Sequence, residues 1–211
     1  MQIDLQPLTA TTRYHLMTQS ILPRPIAWVL TRNLPADSGE PSYNLAPFSY
    51  FNAVCSDPPL VMLSMGHKGP EEPKDTRRNL IQGGDFVIHL PSVEQAKDVT
   101  ASAATLAYGD SELEHLDAGE LVEFPGCPLP RLKAAPIAFH ARFYDVHYLG
   151  PGKQAVIYAE LLQVHVDDQA ITEDKAKGRY LIDAQKINPL ARLGGAQYAS
   201  LGEFFAVKRP D

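Results

Sequence analysis

The stretch SYNLAPFSYFN, residues 42–52, decides how the chain is read. Tyr43, Leu45, Phe48, Tyr50 and Phe51 give it the apolar and aromatic majority of a buried strand. Asn44, Ser49 and Asn52 add groups that need hydrogen-bond partners when buried, and Pro47 removes a backbone donor and disturbs a regular ladder. Such a segment raises the question of what it recognises.

Outward from it, strand signals dominate. PIAWVLT (25–31), LVMLSM (60–65) and DFVIHL (85–90) are β-branched or aromatic runs, the last two bounded by DPP, by Gly83 and Gly84, and by Pro91. IAFHARFYDVHYL (137–149) and AVIYAELLQVHV (155–166) flank GPGKQ, a hairpin signal. A short helix is expected around Arg13–Gln19, and another over KDTRRNLIQGG (74–84), started by Asp75 or Thr76 and stopped by Gly83 or Gly84. A third opens on Ser92 with Gln95 at capping-box spacing and runs on through helix formers to Gly109. The tail INPLARLGGAQYASLGEFFAVKRP lacks periodicity and reads as an ordered segment folded over something else. The expectation is a mainly β fold with peripheral helices, closed as a small antiparallel barrel because closure removes exposed edges.

At 211 residues the chain is expected to be one domain, 1–211, that folds without staples. Cys55 and Cys127 are too few for a secreted disulfide framework, and MQIDLQPLTATTRYHL lacks the pattern of a signal peptide, so a cytoplasmic location is expected. LVMLSM is far short of a membrane span, and a formal net charge of −6 argues against broad nucleic-acid attraction, while leaving room for a small anionic ligand.

Neither GxGxxG nor a P-loop is present, and GPGKQ lies between strands rather than before a helix. None of the seven histidines forms HExxH or pairs with cysteine at zinc spacing, so no metal site is expected, and His140, His147 and His165 read as ordinary strand residues. Ser49 and Ser64 lie outside any GxSxG elbow. GPEEPKDTRRN (69–79) is more informative, because it sets a helix start beside Lys74 and the Thr76 hydroxyl, a phosphate-binding chemistry; the alternative is a plain cap with Lys74 and Arg77 solvated.

PRPIAWVLT (23–31), YNLAPFSYFNAVCSDPPLVMLS (43–64), KDTRRNLIQGGDFVIHL (74–90) and RLGGAQY (192–198) together resemble the flavin reductase-like family with the FMN-binding split-barrel fold, which includes the flavoredoxins. The resemblance implies a six-stranded antiparallel Greek-key split β-barrel, a homodimer, and noncovalent FMN near the dimer interface. NADH or NADPH would be the hydride donor, with a flavin-dependent oxygenase as one recipient of the reduced flavin. Asn44, Leu45, Ala46, Pro47, Phe48 and Ser49 would line the isoalloxazine. Thr31, Ser64 and Met65 would approach the ribityl chain or phosphate, and Lys74, Asp75 and Thr76 match the phosphate-side motif. Arg192 and Tyr198 would cover the pocket and meet the second nucleotide, whereas Arg24 meets the phosphate, a partner chain or a surface ion pair. Cys55 replaces a small polar residue and is read as a packing residue. No side chain need act as acid or base, since the cofactor carries the hydride chemistry. The alternative function is an FMN-binding electron carrier or sensor without nicotinamide turnover.

Overall fold

A computed structural model describes residues 1–33, 41–69 and 72–210. In chain order its strands are β1 (Arg24–Pro25), β2 (Ala27–Arg32), β3 (Tyr43–Phe48), β4 (Phe51–Ser56), β5 (Pro59–Met65), β6 (Asp85–Leu90) and β7 (Leu121–Val122), then β8 (Arg131–Leu132), β9 (Ile137–Leu149), β10 (Gln154–Val166), β11 (Ile171–Asp174), β12 (Arg179–Ile182), β13 (Ala191–Arg192) and β14 (Tyr198–Ala199). The helices are α1 (Ala10–Ser20), α2 (Asp75–Ile81), α3 (Ala96–Ala101) and α4 (Ala184–Ile187).

Seven strands form one sheet in the order β3-β2-β6-β9-β10-β5-β4, every neighbouring pair antiparallel. Its two ends, β3 and β4, are consecutive in the chain and separated by Ser49 and Tyr50 alone, so the sheet closes on itself into a barrel. The sheet has seven strands where six were expected, with β3 and β4 divided at Ser49 and Tyr50. Pro47 does not interrupt the ladder: it pairs with Trp28, and β3 has a neighbour on one side only, so the missing N–H costs no bond.

Strand alternation explains the two faces. From β2, Ala27 and Val29 point into the barrel beside Phe86, Ile88, Leu63, Met65 and Ile157, while Trp28 and Leu30 point outward. That outer face is buried too, under Val99, Phe124, Leu129 and Leu132 from the segment that follows β6. His89 is locked in this layer, with Nδ1 against the Trp28 carbonyl at 3.0 Å and Nε2 accepting from Leu132 N–H at 2.9 Å. Burial lowers its pKa to about 4.

The expected third helix is shorter than its composition suggests. A 3-10 turn at Val93–Gln95 leads into α3, which ends at Ala101; the hydroxyl of its C-cap Ser102 accepts from Trp28 Nε1 at 2.8 Å. Helix α2 starts after Lys74 with no side-chain cap bond, so neither Asp75 nor Thr76 caps it. The tail supplies β13 and β14, which join β1 in a separate three-stranded sheet. Cys55 and Cys127 are both free, and Cys55 is exposed on β4 rather than packed, because β4 has no layer over its outer face. Among the described residues no helix is long and apolar enough to cross a membrane.

Candidate functional site

Five segments converge on one open cleft, whose cavity volume of about 70 Å³ is below the roughly 300–1,000 Å³ of typical small-ligand sites. One wall is β3, through Asn44, Ala46, Pro47 and Phe48; the facing wall is the start of α2, through Lys74, Asp75 and Thr76. Lys68 and the loop Ser102–Leu106 form the sides, and Glu112 sits among them.

Each wall is tethered by a buried polar contact. Asn44 Nδ2 donates to Thr76 Oγ1 at 2.8 Å, fixing β3 against α2 and leaving the Thr76 hydroxyl proton as a donor. Deeper in the molecule, Asn79 Nδ2 donates to Thr31 Oγ1 at 2.9 Å and to Asn33 Oδ1 at 3.1 Å, and Asn79 Oδ1 accepts from the Tyr108 hydroxyl at 3.0 Å. This network holds α2 on β2. The loop wall is held by Trp28 through Ser102, as above.

The charges are arranged in pairs. Lys68 Nζ lies 3.0 Å from Glu72 and 3.1 Å from Asp75, and its side chain is only 9% exposed. Those carboxylates, Glu72 foremost, hold its ammonium pKa above the ordinary value. Lys74, by contrast, is exposed at the rim. Glu112 is 5% exposed and accepts from Leu45 N–H at 2.9 Å. Burial raises its pKa, against the lowering effect of that N–H.

Of the residues singled out by sequence, Asn44, Ala46, Pro47, Phe48, Lys74, Asp75 and Thr76 line this cleft. Leu45 is wholly buried beside it, with its N–H committed to Glu112. Thr31 lies behind the wall as the acceptor for Asn79, and Met65 is barrel core. Ser49 and Ser64 face a second, apolar hollow beyond the β3–β4 turn, lined by Met17, Ile21, Phe51 and Met62. Arg192 and Tyr198 do not line the cleft: the guanidinium stacks on the Tyr198 ring with 4.7 Å to its centroid, and the Tyr198 hydroxyl meets Thr100 Oγ1 at 3.0 Å. Arg24 is 6% exposed and donates to the carbonyls of Thr18, Ile21 and Leu193, so it clamps α1 to the tail rather than pairing with an acid at the surface.

Lys68, Glu112 and the Ser102–Leu106 loop were not legible as site residues. Lys68 stands in GHKG, one position from a histidine, and Glu112 in SELEH, neither with a distinctive neighbour pattern. Among the described residues no group of three or more His, Cys, Asp and Glu side chains could hold a metal ion.

The flavin reductase like domain family matches residues 18–187. The uncharacterised protein YwrF of Bacillus subtilis is 34% identical over 208 residues, covering 96% of each chain. Among solved structures, nitrilotriacetate monooxygenase component B from Bacillus cereus is 31% identical with a TM-score of 0.83, over 98% of both chains. The 2-nitrobenzoate 2-nitroreductase NbaA of Pseudomonas fluorescens is 27% identical with a TM-score of 0.83, over 100% of this chain and 96% of its own. With more than half its length matched and the barrel closed as described, the chain belongs to the flavin reductase like family and has its split-barrel fold.

Proposed function

We propose that the cleft holds FMN noncovalently and that the protein is an NAD(P)H-dependent flavin reductase, acting as a cytoplasmic homodimer that serves a flavin-dependent oxygenase. The observation that carries this reading is the meeting of NLAPFS and KDT across one cleft, tied by the Asn44–Thr76 bond. The donor set suits a phosphate ester: Lys74 brings a cation at the rim, Thr76 has its hydroxyl proton free to donate, and Lys68 balances Asp75. Membership of the family supports flavin chemistry, and likeness to a monooxygenase component at 31% identity over nearly the whole chain supports the oxygenase partner.

Bound flavin would supply the two-electron chemistry, taking hydride from NADH or NADPH. The chain's own work is to bind and orient. Lys74 and Thr76 hold the phosphate end, and β3 presents Ala46, Pro47 and Phe48 to the remainder of the ligand. Leu45 N–H is already donated to Glu112 and so does not serve the ligand. The dimer is supported by exposed apolar surface: β4 is paired on one edge with Val54 exposed, and Tyr144, Phe204 and Phe205 are exposed as well. A reducing compartment suits the exposed thiol of Cys55.

Titration of the apoprotein with FMN and with riboflavin tests the site. Lys74→Ala and Thr76→Ala each remove a hydrogen bond to a charged group, expected to cost about 1.5–3 kcal/mol, or roughly ten- to a hundredfold in FMN affinity. Riboflavin affinity should hold in Lys74→Ala, whereas Thr76→Ala also takes the acceptor from Asn44 Nδ2 and loosens β3 for both ligands. Equal weakening of both ligands by Lys74→Ala rejects the phosphate assignment. Anaerobic bleaching of the flavin by NADH or NADPH tests the activity; failure with both, where dithionite still bleaches it, establishes the carrier or sensor reading instead.

A further inference from the structure

Glu112 is the one feature of the cleft that a phosphate ester does not explain. Its carboxylate is buried, lines the same space as Lys74 and Thr76, and rests on Leu45 N–H. The charged lining consists of Lys68 and Lys74 against Asp75 and Glu112, a balanced set before any ligand enters. Phosphate monoesters bring about −1.5 to −2 at pH 7, so occupation of the cleft tips this balance strongly negative.

We propose that FMN binding drives the Glu112 carboxylate to take up one proton from solvent, so that cofactor affinity and protonation of this chain are coupled. The inference rests on the FMN reading above and adds to it a regulatory property of the site.

The choice falls on Glu112 because of what faces each acid. Asp75 is paired with Lys68, whose Nζ lies 3.1 and 3.4 Å from its two carboxylate oxygens, with Glu72 sharing the same ammonium. Glu112 meets a neutral backbone donor from β3. Around it stand Asp75 and Lys74 from α2, Lys68 from the preceding loop, and Asp110, Glu114 and His115 from its own turn and its flanks. Asp75 and Asp110 both act to favour its protonated form, and burial acts in the same direction. A further anion in the cleft adds to those effects, whereas protonating Asp75 would take from the buried Lys68 one of its two carboxylate partners. The balance is simple: an O–H bond forms on the carboxylate, the proton comes from water or buffer, and no other bond changes.

Isothermal titration calorimetry of FMN into the apoprotein, in buffers of different ionisation enthalpy at pH 7, counts the protons taken up. The wild type is expected to take up close to one proton more than Glu112→Gln, which keeps an acceptor for Leu45 N–H. FMN affinity should fall by up to about tenfold per pH unit above the pKa of free Glu112, in the wild type but not in the variant. Riboflavin, which lacks the phosphate, should bind with much less uptake. Equal proton counts in wild type and Glu112→Gln, or a wild type that takes up none, overturn the proposal while leaving the cofactor site intact. Absence of FMN binding, or FMN binding indifferent to Lys74→Ala and Thr76→Ala, overturns the FMN reading itself and this inference with it. Should Glu112→Gln not fold, wild-type protein carrying carboxyl-¹³C glutamate decides: one side-chain carboxyl resonance moves to its protonated position on adding FMN, and a spectrum without that movement refutes the coupling.

Discussion

Asn79→Ala should detach α2 from the barrel wall. Asn79 is 8% exposed, and its amide makes three hydrogen bonds, to Thr31 at 2.9 Å, to Asn33 at 3.1 Å and from Tyr108 at 3.0 Å. Truncation leaves the Asn33 Oδ1 and Thr31 Oγ1 acceptors without this donor, and both residues are almost wholly buried. Each stranded partner costs about 1–3 kcal/mol, whereas Tyr108 is half-buried and recovers part of its loss from solvent. A total of about 2–6 kcal/mol follows, or a fall in melting temperature of roughly 4–24 °C for a chain of this size. Urea denaturation followed by far-ultraviolet circular dichroism gives the stability. Because α2 carries Lys74, Asp75 and Thr76 at its start, FMN affinity should drop as well, with riboflavin affected less. Asn79→Asp keeps the acceptor for Tyr108 but sets a carboxylate against Asn33 Oδ1, and should destabilise at least as much at neutral pH. An Asn79→Ala protein within about 0.5 kcal/mol of wild type, the range of an ordinary surface change, would refute the network as a structural tether.

Two further perturbations follow from single buried contacts. Between pH 6.5 and 4 the unfolded chain binds a proton at His89 that the folded chain excludes, so stability is full above pH 6.5 and falls as pH drops towards 4, by about 3 kcal/mol for the 2.5-unit depression. His89→Gln should lack that slope in urea titrations at stepped pH, and parallel slopes in the two proteins would show that the ring is not buried neutral. A Cβ added at Gly194 would collide with Cγ of Gln19 and lie 3.3 Å from its Cα, so Gly194→Ala should push the tail away from α1 at a cost of about 1–3 kcal/mol. Faster proteolysis within the tail is the check, and wild-type resistance would show that Gln19 moves aside freely.

The barrel was legible where a strand's own residues settle its pairing. DFVIHL and IAFHARFYDVHYL correspond residue for residue to β6 and β9, because alternation and the glycines or prolines at their ends are local properties. Legibility failed where a distant group intervened. Nothing in ASAATLA signals a helix end, yet α3 stops at Ala101, beside the contact of the Ser102 hydroxyl with the Trp28 indole 74 positions earlier. Pro47 misled in the other direction, since its cost depends on whether β3 has neighbours on both sides, which only the closed topology decides. Arg24, set between prolines, carried no local sign that three backbone carbonyls would enclose it.

The site divides along the same line. NLAPFS and KDT were readable because their unusual composition sits within a few residues, whereas Glu112 acquires meaning only from Leu45, far along the chain, and Lys68 has partners four and seven positions on that form no distinctive motif. Four tethers show why: Thr31 to Asn79 spans 48 positions, Asn44 to Thr76 spans 32, Trp28 to Ser102 spans 74, and Leu45 to Glu112 spans 67. Each is buried, so its geometry is strict and its loss is costly. Each also has one end on β2 or β3, whose ladder runs without a bulge from Ala27–Phe48 to Arg32–Tyr43. That two-strand unit is therefore the scaffold, and the cleft walls hang from it. A substitution that shifts β2 against β3 must displace α2, the Ser102–Leu106 loop and Glu112 together, whereas a change inside that loop moves one wall and leaves the phosphate-side residues where they are.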